Sequence, residues 1–374
     1  SVYAAAATPG QAYHAFSNVS IQNLAGLTLT HAFKSIDSPA TEPITAGGEY
    51  TVVMVAKQDG QYHAESYTAE QFEGLTMVVK DVDWTQTVAN TPDHNLSKSN
   101  TGAMYGHTCS ISGDGKTVII SGYASATSGG AWIWTKNESG TWTETADLSK
   151  TTGGYHGMSC SISADGNTVV IAGQINTSSG CAFIWTKDDS GTWTETADLS
   201  KNGTNGEYGR SCSISADGST VIVAGYSSIT SGCAFIWTKD ESSGTWTETA
   251  DLSKLSGTNG AYGMSCSISA DGTTALISGN KYNSETSGGA WIWTMDESGT
   301  WTETADLSKT SGTKGKYGSS CSISADGKTA LISGYLDPGG GAWIWTMDES
   351  GTWTETGDLS KESGPNVKYG YFCS

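Results

Sequence analysis

The chain has 374 residues, 36% of them hydrophobic, with 48 glycines and 14 tryptophans against only 6 prolines. Its formal net charge of −19 repels phosphate backbones and anionic lipid, which excludes nucleic acid and membrane surfaces as partners. No apolar run reaches the roughly 18 residues that a spanning helix needs, so no membrane insertion is expected.

Many glycines and aromatics with few prolines suit short strands joined by tight turns, an all-β composition. The alanine run at 4–7 is too short, and lacks the charged leader, for an intact signal peptide. A start at Ser1 rather than Met is expected of a processed chain. Strand patterns follow at 12–24, 27–34, 50–57, 61–67 and 75–80, enough for a small β-sandwich over residues 1–82. The segment Val19-Ser20-Ile21-Gln22-Asn23, followed by Ile44-Thr45-Ala46-Gly47-Gly48, faintly resembles aegerolysin-like sandwiches.

From residue 99 the chain repeats itself, and self-similarity of this period decides architecture. Cys109, Cys160, Cys212, Cys266, Cys321 and Cys373 recur every 51 to 55 residues. That makes five full repeats over 99–368 and the first strand of a sixth at 369–374. Each unit reads Tyr-Gly-x-Ser-Cys-Ser-Ile-Ser-Ala-Asp-Gly, an apolar run, Ser-Gly-Gly-Ala-Trp-Ile-Trp-Thr, and a closing Thr-Trp-Thr-Glu-Thr-Ala-Asp-Leu-Ser-Lys. In the second repeat, four strands are expected at 158–163, 168–172, 181–186 and 192–199. Asp165-Gly166 is a hairpin signal between the first two. The second strand is apolar on both faces, as in a sheet covered from both sides. Four-stranded sheets stacked about an axis make a β-propeller.

The unit resembles the FG-GAP repeat of integrin α-subunit propellers. The matching segments are Tyr208-Gly209, Ile214-Ser215-Ala216-Asp217-Gly218 and Gly232-Cys233-Ala234-Phe235-Ile236-Trp237. The resemblance covers roughly residues 99–374 and implies the fold; the repeat serves many functions.

The last strand lacks its partners in sequence. Tyr50 to Ala56, 75–80 and Trp84-Thr85-Gln86-Thr87, with the Leu96-Ser97-Lys98 ending, resemble the missing three. On this reading residues 1–44 are a β-rich extension, 45–98 a degenerate blade completed by 369–374, and the ring has six blades. Integrin propellers have seven. The sandwich over 1–82 is the equal alternative, and an open arc whose last strand completes a neighbouring subunit is a third.

Several residue sets are candidates for sites. Cys160, Cys212 and Cys266 on first strands, with Cys181 and Cys233 on third strands, are small buried hydrophobes or disulfide partners, and spacing cannot decide connectivity. The FG-GAP resemblance implies calcium at Asp-x-Asp-x-Asp-Gly loops. Here that frame reads Ser161-x-Ser163-x-Asp165-Gly166, which leaves Asp114, Asp165, Asp217, Asp271 and Asp326 as weak ligands, two hydroxyls replacing carboxylates in each loop. Trp142, Trp193, Trp246, Trp301 and Trp353 either pack between blades or stack on sugar rings. Sequons at Asn18, Asn95, Asn137, Asn176 and Asn202 favour an extracellular or cell-surface protein. The six histidines, His14, His31, His63, His94, His107 and His156, form no HExxH or triad setting.

No cofactor is expected, because no phosphate-binding glycine loop, CxxC or Cys/His cluster occurs. The repeated acids recur in every blade, whereas an active site breaks symmetry. The expected function is therefore a non-enzymatic structural or adhesion protein, with protein partners or self-association into filaments. A multivalent glycan-binding propeller is the alternative. The loops at 123–127, 174–178, 280–285 and 335–338, and the connections between repeats, are where a ligand is sought.

Overall fold

The computed structural model describes the backbone of residues 2–6, 14–16, 34–35, 50–58 and 61–67, residues 96 and 98, and the stretch 104–360 apart from 126–127, 151–154, 177–178, 205–206, 229–230, 255–260, 281–287, 310–315 and 337–338. The chain divides into two compact units, Ser1–Pro92 and Asp93–Ser374. Strands β1 (Val2–Ala6), β2 (His14–Phe16), β3 (Lys34–Ser35), β4 (Tyr50–Gln58) and β5 (Gln61–Tyr67) form one antiparallel sheet of the first unit, in the order β3-β2-β1-β4-β5. Tyr50–Gln58, expected as the second strand of a degenerate blade, thus pairs with Val2–Ala6 and Gln61–Tyr67. The strands expected at 75–80, 84–87 and 369–374 lie outside the described residues.

The second unit is an all-β propeller of four-stranded antiparallel blades, five of which are described. The first holds β6 (Thr108–Ile111), β7 (Thr117–Ser125), β8 (Ser128–Lys136) and β9 (Trp142–Asp147). The second holds β10 (Ser159–Ile162), β11 (Thr168–Asn176), β12 (Ser179–Lys187) and β13 (Trp193–Asp198), with the short β14 (Lys201–Asn202) also paired to β12. The third is β15 (Ser211–Ile214), β16 (Thr220–Ser228), β17 (Ser231–Lys239) and β18 (Trp246–Asp251). The fourth is β19 (Ser265–Ile268), β20 (Thr274–Asn280), β21 (Gly288–Met295) and β22 (Trp301–Asp306). The fifth is β23 (Lys316–Ile323), β24 (Thr329–Leu336), β25 (Gly339–Met347) and β26 (Trp353–Asp358). The loop expected at 174–178 is largely strand, since β11 and β12 run on past a bulge at Gln174/Asn176.

Each element follows from local chemistry. In the Asp-Gly hairpins the aspartate Oδ1 accepts from a hydroxyl two residues back and an amide two residues on; Asp165 takes Ser163 Oγ at 2.5 Å and the Asn167 amide at 2.9 Å. Such Asx turns hold the reversal, and Gly166 supplies its φ of 71°. Val169, Val170, Ile171 and Ala172 are wholly buried, because both faces of the second strand meet another blade.

The core lies between blades rather than within them. Val170, Ala172, Ile184 and Leu199 of one blade pack against Cys212, Ile214, Val221, Val223 and Trp246 of the next. The seam is also polar. The inner strand of a blade is an edge strand with unpaired amides. Ser159 Oγ accepts from the Cys212 amide at 3.0 Å and Ser161 Oγ from Ile214 at 3.3 Å. Ser211 and Ser213 do the same for Cys266 and Ile268, and Ser265 and Ser267 for Cys321 and Ile323.

At the outer end of each seam a lysine reaches the next blade. Lys150, Lys201, Lys254 and Lys309 pair with Glu195, Glu248, Glu303 and Glu355, and the first two lie 3.7 Å over the rings of Phe183 and Phe235. Lys98 pairs with Glu144, and the Tyr105 hydroxyl donates to the Leu96 carbonyl as Tyr208 does to Leu199. Residues 96 and 98 therefore make the first blade's joint in the same way.

Candidate functional site at the axial channel

The inner strands β6, β10, β15, β19 and β23 line a cavity of about 810 Å³. Its wall is hydroxyl-rich, with Ser159, Ser211, Ser213, Ser265 and Ser267 among the lining residues. Their oxygens accept amides from the next blade, so each keeps its own proton to donate.

One position stands apart. Just ahead of each inner strand the chain crosses the second strand of its own blade at a glycine. At Gly225 a Cβ would lie 1.9 Å from the Glu207 carbonyl oxygen, so only glycine admits the crossing. The Glu207 amide is then bonded to the Tyr226 carbonyl at 2.8 Å, Tyr208 is buried, and Gly209 turns at a φ of 89°. The next side chain, Arg210, reaches the cavity. The corresponding residues in the other blades are His107, Met158, Met264 and Ser319, and all five line the cavity.

His107 Nδ1 lies 3.1 Å from the Met158 carbonyl oxygen. A carbonyl only accepts, so Nδ1 carries the proton and Nε2 keeps its lone pair. The ring stands edge-on to Tyr123 at 4.7 Å, and Tyr123 on Tyr155 at 5.4 Å. Burial, aided by repulsion from Arg210, holds the imidazole below its usual pKa against the opposing bond to Met158. It is therefore a neutral base at neutral pH.

The Arg210 guanidinium lies 4.8 Å over the Tyr226 ring, which orients its plane. Its nearest carboxylate is Glu207 at 3.8 Å, too far for a hydrogen bond. Among the described residues no acceptor takes its N–H groups, which leaves them for a ligand. Burial raises the Glu207 pKa, with Arg210 opposing.

The sequence expectation missed this site. The signal was the x of Tyr-Gly-x-Ser-Cys, nearly the one variable place in a constant segment. It also missed His156, which stands where other blades have tyrosine. His156 is wholly buried, with Nε2 at 3.3 Å from the Leu148 carbonyl oxygen and its ring against Phe183.

The residues singled out earlier fall elsewhere. No disulfide forms among the described cysteines, which corrects the expected bridges. The reason is geometric: inner cysteines meet serines across the seam, Cys212 Sγ donating to Ser159 Oγ at 3.2 Å and Cys266 Sγ to Ser211 Oγ at 3.3 Å, while Cys181 Sγ donates to the Gly173 carbonyl of its own blade. Burial pushes the thiol of Cys160 up to about 11 and that of Cys233 up to about 12, and those of Cys212 and Cys266 well above the usual range. Asp114, Asp165, Asp217, Asp271 and Asp326 each bond a serine hydroxyl within their own hairpin, and no cluster of three metal-ligating groups occurs among the described residues.

Trp193, Trp246 and Trp301 are at most 9% exposed. They are packed across seams, so they offer no face to a sugar, and Trp142 and Trp353 are half-buried. Asn137 is exposed, but its Oδ1 holds a turn by accepting from Thr141. Asn202 is exposed in β14, Asn176 ends β11, and Asn18 and Asn95 lie outside the described residues.

No protein-family model and no curated protein matches the chain. Solved structures do. The periplasmic gluconolactonase PpgL of Pseudomonas aeruginosa is 16% identical, with 74% of this chain and 77% of that chain covered and a TM-score of 0.51. A Bacteroides uniformis protein, described as a candidate 6-phosphogluconolactonase, is 13% identical over 70% of this chain and 74% of that chain, with a TM-score of 0.49. A Lactobacillus plantarum protein is 11% identical over 98% and 96%, also at 0.49. Likeness at this identity is likeness of fold.

The likeness to the Pseudomonas aeruginosa gluconolactonase overturns the expectation of a non-enzymatic, self-assembling adhesion protein. That expectation rested on the sameness of the blades, yet a ring of this architecture is the scaffold of a gluconolactonase. The repeat does break symmetry, at the channel mouth. The glycan-binding alternative leaned on tryptophan density, and the seams bury Trp193, Trp246 and Trp301.

Proposed function

We propose that the channel mouth is a small-molecule site for an anionic, hydroxyl-rich ligand, and that its chemistry is hydrolysis of a sugar lactone. The observation that carries the proposal is the placement of His107 and Arg210. Both occupy the position that varies between blades, one with a free lone pair on Nε2 and the other with uncommitted N–H donors. His107 Nε2 takes a proton from water as the hydroxide adds to the lactone carbonyl. Arg210 stabilises the oxyanion that forms. The ring C–O bond then breaks, and the imidazolium returns the proton to the departing oxygen. The carboxylic acid so formed loses its proton to water, and the carboxylate is left beside the guanidinium while channel serines donate to its hydroxyls. An exported location belongs to the same proposal; the Pseudomonas aeruginosa protein is described as periplasmic.

The test is hydrolysis of D-glucono-1,5-lactone, followed by pH-stat and corrected for the spontaneous rate. His107→Ala is expected to lower kcat by about a hundredfold or more, and Arg210→Ala to raise KM. Wild-type protein that gives no rate above the spontaneous one, and binds no D-gluconate by calorimetry, overturns the proposal.

A further inference from the structure

The charges at the channel mouth point to a narrower substrate class, and this inference rests on the reading just given. We propose that Glu207 is a specificity-determining residue that admits singly charged sugar carboxylates and their neutral lactones and turns away sugar phosphates.

Among the lining residues only Arg210 and His107 bear basic groups; Met158, Met264 and Ser319 at the equivalent positions are neutral. Glu207 Oε2 sits 3.8 Å from Arg210 Nη1. At that separation it offsets much of the guanidinium charge without occupying its hydrogen-bond fork. A carboxylate suits what remains, since it takes two N–H groups side by side and brings one negative charge. A phosphate monoester brings nearly two. Among the described lining residues its second charge meets no further cation. What it meets beside Arg210 is Glu207, which is 3.8 Å from the guanidinium though not itself part of the cavity wall. That carboxylate is only 19% exposed, so water screens the repulsion poorly. The acidic whole, at −19, adds to the same discrimination.

The measurement is calorimetric titration of wild type and Glu207→Gln with D-gluconate and with 6-phospho-D-gluconate, circular dichroism confirming that the variant is folded. Wild type is expected to bind D-gluconate about tenfold more tightly than the phosphorylated acid, and Glu207→Gln to erase that preference by tightening the phosphate ligand. If the variant does not fold, Glu207→Ala replaces it, and the wild-type preference stands as a test by itself. Equal or tighter wild-type binding of 6-phospho-D-gluconate, lost in Arg210→Ala, overturns the role of Glu207 and leaves the channel site standing. A wild-type preference that persists unchanged in Glu207→Gln does the same. Binding of neither acid by either form overturns the channel reading and this inference together.

Discussion

Replacing His156 with tyrosine tests how the blades are built. In the third blade Tyr208 donates to the Leu199 carbonyl at 2.8 Å and accepts from Trp237 Nε1 at 3.0 Å. In the second blade His156 reaches only the equivalent carbonyl, of Leu148. Its Nδ1 and the indole N–H of Trp185 are both buried without a partner. The pocket suits a tyrosine, because His156 meets Phe183 with a centroid separation of 5.6 Å and Tyr208 meets Phe235 at 5.8 Å. His156→Tyr is therefore expected to stabilise the protein at neutral pH by about 1 to 2 kcal/mol, by pairing a buried indole and removing a buried orphan.

The larger effect is on pH dependence. Burial lowers the His156 pKa from 6.5 to about 4. Between those values the unfolded chain binds a proton that the folded chain refuses. Stability is complete above the upper value and lost as pH falls toward the lower. Integrated down to about pH 4.5, the loss is roughly 2 to 3 kcal/mol. The assay is urea unfolding of both forms near pH 8 and near pH 4.5, where carboxylates shared by the two proteins cancel. Wild type is expected to lose roughly 2 to 3 kcal/mol more than His156→Tyr. Parallel losses in the two proteins refute the argument that a neutral buried histidine holds that joint.

Other outcomes follow from the same geometry. Gly225→Ala drives a methyl into the Glu207 carbonyl and is expected to cost about 3 kcal/mol in urea unfolding, with loss of ligand binding as Arg210 is displaced. Lys201→Met removes the Glu248 partner and the contact with Phe235, and about 1 kcal/mol is expected to go with them. Brief alkylation of native protein, read by peptide mass spectrometry, is expected to mark exposed Cys109 and spare Cys160, Cys212, Cys233 and Cys266, whose thiols are buried and poorly acidic. The acid limb of kcat/KM is expected below the ordinary imidazole value of 6.5, since His107 is shifted down. An acid limb above that value contradicts His107 as the base.

Much of the fold was legible because its causes are local. Asp165-Gly166 announces a hairpin by its own side-chain bonding, and an unalternating apolar run such as Val169 to Ala172 announces a strand covered on both sides. The site was harder to read. His107 and Arg210 are two blades apart, and nothing in a linear chain says that equivalent positions converge on an axis. The constant residues drew attention, while the varying one carried the chemistry. Cysteine periodicity invited disulfides, yet what recurs is a thiol facing a serine of the adjoining blade. His156 was counted among the histidines without a role, because its place as a stand-in for tyrosine shows only when the blades are superimposed.

Cys212 and Ile214 take their amide acceptors from the blade before, and Ser211 and Ser213 serve the blade after. Among the described blades the joints thus share one handshake, passed on in one direction. A blade inserted or removed as a whole unit leaves its neighbours with a hand to hold, so such a ring tolerates change in number more easily than change within a unit. The side chains of Arg210 and its counterparts take no part in those serine–amide bonds. Mutation can rewrite them one at a time, and a new ligand can be acquired while the masonry stays as it was.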